Sequence, residues 1–257
     1  MSKQVLLLRL EGPLQSWGAR SRWDVRDTQP EPTKSGVIGL LGCAFGYPRG
    51  DRRLADLARS LVFGVRVEAP GRFRQDFQTI SGFLPTADGR YRHSGVSVGA
   101  SLERISANPE ATPATIISPR YYLEDAAFLV GLVEADDCAR GVLDDCRASL
   151  LSPFWPLYLG RRSCTPTRPV FESLTHDYDG LEAALAKHPW SHLGGGAKNR
   201  KVGPSQINSL LDLQIEDPDG PEIRQDVVVL NSARVYHFRN VRRTTVEFAS
   251  VYHEQEN

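Results

Sequence analysis

Short apolar runs, separated by polar or Gly- and Pro-rich stretches, divide the chain into predicted strands and helices. Residues 5–10, 62–68 and 126–133 carry VLLLRL, VFGVRVE and AAFLVGLV, which are patterns typical of buried strands. Asp51 is predicted to be the N-cap of a helix, because apolar residues at helical spacing follow it. The same spacing recurs over 136–151, so both segments are predicted to be amphipathic helices. Residues 14–32 are polar and Arg-dotted and are predicted to form a loop.

A further helix is predicted to begin at Ser35. Gly36, Gly39 and Gly42 follow it three residues apart, which places them on one side of a helix. Each glycine weakens a helix by about 1 kcal/mol relative to Ala, so close packing or a ligand is expected to offset the cost.

The order strand, helix, strand, interruption, strand, helix predicts an α+β fold with a ferredoxin-like βαββαβ plan, as in RNA-recognition domains. Residues 82–119 form the interruption and show little core patterning. After Ser152 the chain is rich in Pro. Strands are predicted at 227–230 and 235–248, and the second of them is predicted to be interrupted at Arg239–Arg243. We therefore predict an N-terminal domain over 1–151 and a smaller β-rich part over 152–257.

Composition and charge narrow the class of protein. The 257 residues are 40% hydrophobic and 24% charged, as in soluble globular proteins, and no apolar run approaches the ~18 residues of a membrane span. The 31 basic and 31 acidic residues cancel, but 152–171 and 230–245 contain Arg and no acid. Such acid-free strings predict a basic face that a polyanion would bind.

Metal and cofactor chemistry find little support in the sequence. Cys43, Cys138, Cys146 and Cys164 lack zinc-site spacing, and no nucleotide-binding or hydrolase motif occurs. No metal or cofactor is therefore expected.

Three strings offer chemistry suited to RNA. Gln15, Ser16 and Trp17 follow the first strand, where Trp17 either stacks on a base or fills the edge of the core. Lys34, Ser35 and Gly36 stand at a helix start, a place that binds phosphate, although Ser35 is equally explained as a plain N-cap. The third and most specific string offers forked donors beside an aromatic ring and consists of Tyr158, Gly160, Arg161, Arg162 and Ser163.

Taken together, the strings LRLEGPLQSWG, PTKSGVIGLLGCAFGYPRGD and PLYLGRRSCTPTRPVF resemble the Cas5 family of the type I-E CRISPR Cascade complex, within the RAMP superfamily. They occur in the family's order and span the first two-thirds of the chain. The remainder, from about His176, resembles the family only in general character.

This resemblance implies an RNA-recognition-like domain with a protruding thumb, which corresponds to about 82–119. It implies a cytoplasmic, non-catalytic subunit that binds the 5′ handle of the crRNA and contacts the CasC backbone and CasA large subunits in antiviral defence. Target DNA would be met only through the complex, and no membrane is involved. Arg120 and Tyr121 stand where the thumb returns to the sheet. Because Gly36 stands at the predicted helix start beside Lys34 and Ser35, we expect it to let an RNA backbone come close, whereas Gly39 and Gly42 are expected to serve packing.

Two alternatives stay open. The chain could be a metal-independent endoribonuclease of CRISPR repeat RNA, with His176, His188 or His192 as general base and Lys198 as the cation. It could also be a scaffold whose basic strings contact only protein. Labelled repeat RNA distinguishes the three hypotheses. An RNA-binding subunit would retain it intact, an endoribonuclease would cleave it, and a scaffold would not bind it.

Overall fold

The structure, a computed structural model, describes residues 3–18, 26–82, 84–85, 90–92, 114–136, 140–191, 209–229 and 235–252. Its elements are, in chain order, β1 (Val5–Gln15), α1 (Lys34–Phe45), α2 (Arg52–Ser60), β2 (Leu61–Ala69), β3 (Arg72–Gly82), β4 (Leu84–Pro85), β5 (Tyr91–Arg92), β6 (Ala114–Glu134), α3 (Val142–Leu151), β7 (Phe171–Thr175), α4 (Leu181–Lys187), β8 (Leu210–Glu216), β9 (Glu222–Val229), β10 (Val235–Glu247) and α5 (Phe248–Val251). The chain forms two compact units, one of 1–19, 28–74 and 122–257, the other of 20–27 and 75–121.

One sheet organises the larger unit. Its strands follow the order β7-β1-β6-β2-β8-β10-β9, with β3 pairing β6 off this path. Every register along that path is antiparallel; Leu6 of β1 and Phe63 of β2, for example, both lie opposite Leu132 of β6. The order β7-β1-β6-β2, with α1 after β1 and α3 after β6, is the ferredoxin-like arrangement, so the predicted α+β class is confirmed.

Alternation along the strands gives the sheet two buried faces. Leu6, Leu8 and Leu10 share a core with α1, α2 and α3, on what we call the helical face. Val5 and Leu7 point the other way and pack with α4, on what we call the α4 face. At the centre of the α4 face, Gly64 and Gly131 lie opposite each other, and a Cβ at Gly64 would lie 2.7 Å from Leu185. The two glycines therefore let α4 lie directly on the sheet.

Two helices, α1 and α3, begin at other residues than predicted. Thr33, not Ser35, is the N-cap of α1, and its hydroxyl accepts a hydrogen bond from Gly36 N. The third helix begins at Val142 rather than 136, where the Glu134 carboxylate accepts hydrogen bonds from Gly141 N (2.8 Å) and Leu143 N (3.2 Å). Asp51 caps α2 as predicted.

Several strands are longer than predicted, are continuous where an interruption was predicted, or were not predicted at all. The first strand runs on to Gln15, beyond the Gly-Pro pair expected to end it. β3 has no buried face, so its residues lack the alternation that predicts a strand. The last strand, β10, is continuous through Arg239–Arg243, because Arg239 is buried against Asp226 (2.6 Å) and charge need not break the ladder. β7 and β8 were also not predicted.

The second unit includes the last part of β3, residues 75–82, and the first part of β6, residues 114–121. Ser81 and Thr115 hydroxyls hydrogen bond across these strands (2.8 Å), and Phe77 and Ile117 are exposed. Much of the predicted thumb over 82–119 lies outside the described residues, and its role stays a prediction.

The predicted boundary at Ser152 follows α3. Beyond it, β7 pairs with β1, and β8 to β10 continue the same sheet. An independent domain over 152–257 stays a prediction. None of the helices in the described part of the chain is both long and apolar enough to span a membrane.

Candidate nucleic-acid interface

The loop of residues 158–164 is fixed against the end of β1, which brings two of the sequence strings together. Ser16 N donates to Leu159 O (3.0 Å), and Cys164 O accepts from Leu159 N (2.7 Å). Gly160 has φ +93°, and a Cβ at this position would overlap the Ser16 carbonyl oxygen. Only glycine fits such a backbone conformation at such a close approach.

The chain after this loop continues along the same edge of β1. Thr167 N donates to Glu11 O (2.9 Å), and Arg9 N donates to Val170 O (2.8 Å). A Cβ at Gly12 would lie 2.7 Å from Thr165 O. Residues 158–170 are thus anchored to the sheet at intervals, although they form no regular strand.

Trp17 belongs to the core, which answers the question left open by the sequence. Its side chain is 1% exposed, and its Nε1 donates to Gln15 Oε1 (3.0 Å). Gln15 is also buried, and its Nε2 donates to the carbonyls of Leu10 (3.0 Å) and Ala126 (2.7 Å). Ser16 is buried between them. This trio holds the end of β1 in place and offers no aromatic face to a base.

The three glycines of α1 have different surroundings. A Cβ at Gly36 would lie 2.7 Å from the Trp17 ring, and one at Gly42 would overlap the Leu54 side chain, whereas one at Gly39 meets nothing within 4 Å. The expectation that Gly36 serves RNA is therefore corrected, because the indole ring fills the space beside it. Gly42 serves packing as expected, but Gly39 does not.

The start of α1 is occupied by protein carboxylates. Lys34 N donates to Asp226 Oδ2 (2.8 Å), and Lys34 Nζ is paired with Glu216 (2.8 Å) while only 5% of its side chain is exposed. Ser35 is half-buried, with its hydroxyl 3.3 Å from Thr33 Oγ1. Asp226 takes the position expected for a phosphate, so Lys34 is a structural cation in this arrangement.

Arg161 and Arg162 point in different directions from their shared turn. The Arg161 guanidinium lies over the Tyr122 ring, 4.6 Å from its centroid, and is half-buried. Arg162 is exposed and forms no ion pair with any residue in the described ranges. Ser163 beside it is exposed, and Tyr158 is half-buried. Arg162 is therefore the member of this string best placed to meet an external anion.

Arg120 and Tyr121 lie in the second unit. Tyr121 N donates to Arg26 O (2.8 Å), and Arg26 N donates to Pro119 O (3.0 Å). Both side chains are half-buried.

The C-terminal basic string is neutralised in three dimensions. Each of its described arginines contacts carboxylates from elsewhere in the chain: Arg239 contacts Asp226, Arg242 contacts Glu182 and Asp217, and Arg243 contacts Glu31 and Glu222. The hydrogen bonds from Arg242 lower the pKa of both Glu182 and Asp217. The prediction that this acid-free string forms a basic face is therefore wrong for these three arginines, because carboxylates from other segments neutralise them.

A buried charge network covers the α4 face and was not predicted. Glu68 lies between Arg9 and Arg66 and forms ion pairs with both, and all three side chains are at most 2% exposed. Arg9 donates to Pro189 O (2.6 Å), and Arg66 donates to Leu185 O (2.7 Å). Burial lowers the pKa of Arg66. RNA-recognition domains bind RNA on a sheet face, but here α4 and this network occupy the corresponding face. A charged residue inside each of two apolar strands was the available signal.

His188 forms a hydrogen-bonded relay beside this network. Its Nδ1 lies 3.1 Å from Tyr178 Oη, and its Nε2 lies 3.1 Å from Glu172 Oε1. The hydrogen bond from His188, with help from Arg9 and Arg168, lowers the pKa of Glu172 to about 2. His176 is exposed, and His192 and Lys198 lie outside the described residues. Both ring nitrogens of His188 are thus engaged within the protein.

Comparison with known proteins gives one consistent result. The family model described as "CRISPR-associated protein (Cas_Cas5)" matches residues 5–245. The Escherichia coli (strain K12) protein "CRISPR system Cascade subunit CasD" is 32% identical over 198 residues, which cover 73% of this chain and 78% of that protein.

Two solved structures are similar along nearly the whole chain. One, titled "CRISPR RNA-guided surveillance complex", has a TM-score of 0.69 and 32% identity and covers 96% of this chain and 92% of its own. The other, titled "Crystal structure of Cas protein", has a TM-score of 0.64 and 32% identity, with 98% and 100% covered.

Proposed function

Because the chain belongs to the Cas5 family of CRISPR-associated proteins, we propose that it is a cytoplasmic, non-catalytic subunit of a Cascade-type surveillance complex that binds the 5′ handle of the crRNA. Its partners are the CasC backbone and CasA large subunits, and it meets target DNA only through the complex. The similarity to CasD and to a chain of an RNA-guided surveillance complex supports this assignment.

The observation that carries the RNA-binding proposal is the anchored loop of residues 158–164. Its backbone is held by hydrogen bonds to β1 and by the close approach of Gly160 to Ser16. A rigid loop presents Arg162 and Ser163 to solvent at little entropic cost, which favours binding to a phosphate. Two other candidate places for RNA, the α4 face and the backbone amide of Lys34 at the start of α1, are filled by protein groups.

Of the residues considered from the sequence, we propose Ser35, Tyr158, Arg161, Arg162 and Ser163 as RNA contacts in the larger unit. Arg120 and Tyr121 stay proposed contacts in the second unit. Gln15, Ser16, Trp17, Lys34 and Gly36 support the site from inside the fold.

Replacing Arg162 with Ala tests the proposal. Binding of labelled repeat RNA should weaken, and the slope of log K against log[salt] should become shallower by about one, as expected for one lost phosphate contact. Arg147→Ala is the matched control, because Arg147 is an exposed arginine on α3. Equal slopes for the two variants would contradict a phosphate contact at Arg162.

A gel of the same labelled repeat RNA, incubated with the protein, tests the absence of catalysis. RNA retained at full length with and without EDTA is the expected result. Cleavage that resists EDTA would instead support the metal-independent ribonuclease, and His188→Ala would then be the first variant to examine.

A further inference from the structure

Two aromatic side chains project from the segment that follows α3. Phe154 is 70% exposed and Trp155 is 40% exposed, although both rings are large and apolar. Their ring centroids are 5.2 Å apart with an interplanar angle of 82°, an edge-to-face pair. Exposed aromatic groups of this size commonly mark a binding surface.

The backbone holds these two rings in place. Phe154 N donates to Ala44 O (2.8 Å) and Trp155 N donates to Cys43 O (3.4 Å), so the segment is fastened to the last turn of α1. The Phe154 ring lies over Gly46, where a Cβ would come within 2.7 Å of it. Gly46 has φ +73°, which ends α1 and leaves room for the ring. The backbone of both residues is therefore fixed against α1, and the Phe154 ring packs on Gly46.

The segment that carries the pair contains arginines and aromatic residues. No acid occurs between residues 152 and 171. Near Gly46, the guanidinium of Arg53 lies 3.9 Å from the Tyr47 ring centroid and is paired with the Asp51 carboxylate (2.6 Å). Arg162 is seven residues beyond Trp155, so the two lie within roughly 25 Å even for an extended chain. Proteins that bind single-stranded nucleic acid combine aromatic faces for bases with cations for the backbone.

We propose that Phe154 and Trp155 form a stacking platform for an unpaired base of the same RNA strand whose phosphate Arg162 binds. The inference rests on the proposed RNA-binding function and adds a base-stacking site to it. An acid-free, Arg-bearing segment favours a polyanion over a neutral protein surface as the occupant.

The test compares Trp155→Leu with Trp155→Phe. Both variants keep an apolar side chain, but only Phe keeps a flat aromatic face. Repeat RNA should bind Trp155→Leu about 5- to 100-fold more weakly than the wild type, whereas Trp155→Phe should lose little. The salt slope should stay that of the wild type in both, because stacking releases no counterions. RNA with 2-aminopurine at successive positions should show quenching that Trp155→Leu relieves at one position.

The outcomes separate this inference from the function on which it rests. If the wild-type protein fails to bind repeat RNA, the proposed function is wrong. If the wild type binds and Trp155→Leu binds equally well with equal quenching, the stacking platform is refuted. Loss of assembly with CasC or CasA at unchanged RNA affinity would assign the rings to a protein contact and also overturn it. Urea unfolding of each variant identifies any loss of binding that comes from misfolding.

Discussion

Gly160→Ala is the sharpest test of how the candidate interface is built. Gly160 has φ +93°, and a methyl group at this position would overlap the Ser16 carbonyl oxygen. The obstacle is backbone, so it cannot rotate away as a side-chain end would. To accept the methyl group, residues 158–164 must move off β1 and break the hydrogen bond from Ser16 N to Leu159 O.

The expected cost has two parts. A non-glycine residue at a strongly positive φ costs about 1–2 kcal/mol. The lost hydrogen bond, with a buried donor left unpaired, costs about 1–2 kcal/mol more. The free energy of unfolding in urea should therefore fall by about 3 kcal/mol, which lowers the Tm by roughly 6–12 °C.

Gly50→Ala is the matched control for backbone strain. Gly50 is exposed, has φ +90°, and has open space where its Cβ would lie. It should lose only about 1 kcal/mol and bind RNA normally. Gly160→Ala should in addition weaken RNA binding, because Arg162 moves with the loop. Equal losses of stability in the two variants would refute the close approach of residues 158–164 to β1.

Three further predictions concern the interior. Gly39→Ala should raise the free energy of unfolding by about 1 kcal/mol, since its Cβ meets open space, whereas Gly36→Ala should lower it, since the methyl group meets the Trp17 ring; thermal melts of both variants decide this. Glu68→Gln should lower the stability measured in urea by about 3–5 kcal/mol, because it leaves two buried arginines without the carboxylate between them. The folded-state pKa of Glu172 is lowered from 4.5 to about 2, so its ionised carboxylate contributes on the order of 3 kcal/mol to stability above pH 4.5, and this contribution is lost as the pH falls toward 2. The difference in the free energy of unfolding between wild type and Glu172→Gln should therefore shrink as the pH falls through that window. A difference that stays constant with pH would contradict the lowered pKa.

Local signals in the sequence predicted helices α1 to α3, strands β1 and β2, the apolar part of β6, and the family. Asp51 predicts the start of α2 because a capping side chain acts on its own neighbours, and apolar alternation predicts β1 and β2 because it repeats within each strand. The ferredoxin-like plan follows from element order, and the observed strand order confirms it. The three strings of the family motif are also local in sequence, and the match to the Cas5 model confirms the resemblance drawn from them.

The chemical state of individual side chains was decided only by tertiary structure, because ion pairs form between residues far apart in the chain. Lys34 is paired with Glu216 and Arg239 with Asp226, so cations that look free in sequence are neutralised in the fold. Trp17 was suited to a core and also to a base by its sequence position, and the packing of β1 against α1 encloses it in the core. The positions of Gly160 beside Ser16, and of Phe154 over Gly46, likewise depend on segments that meet only after the sheet and helices have assembled.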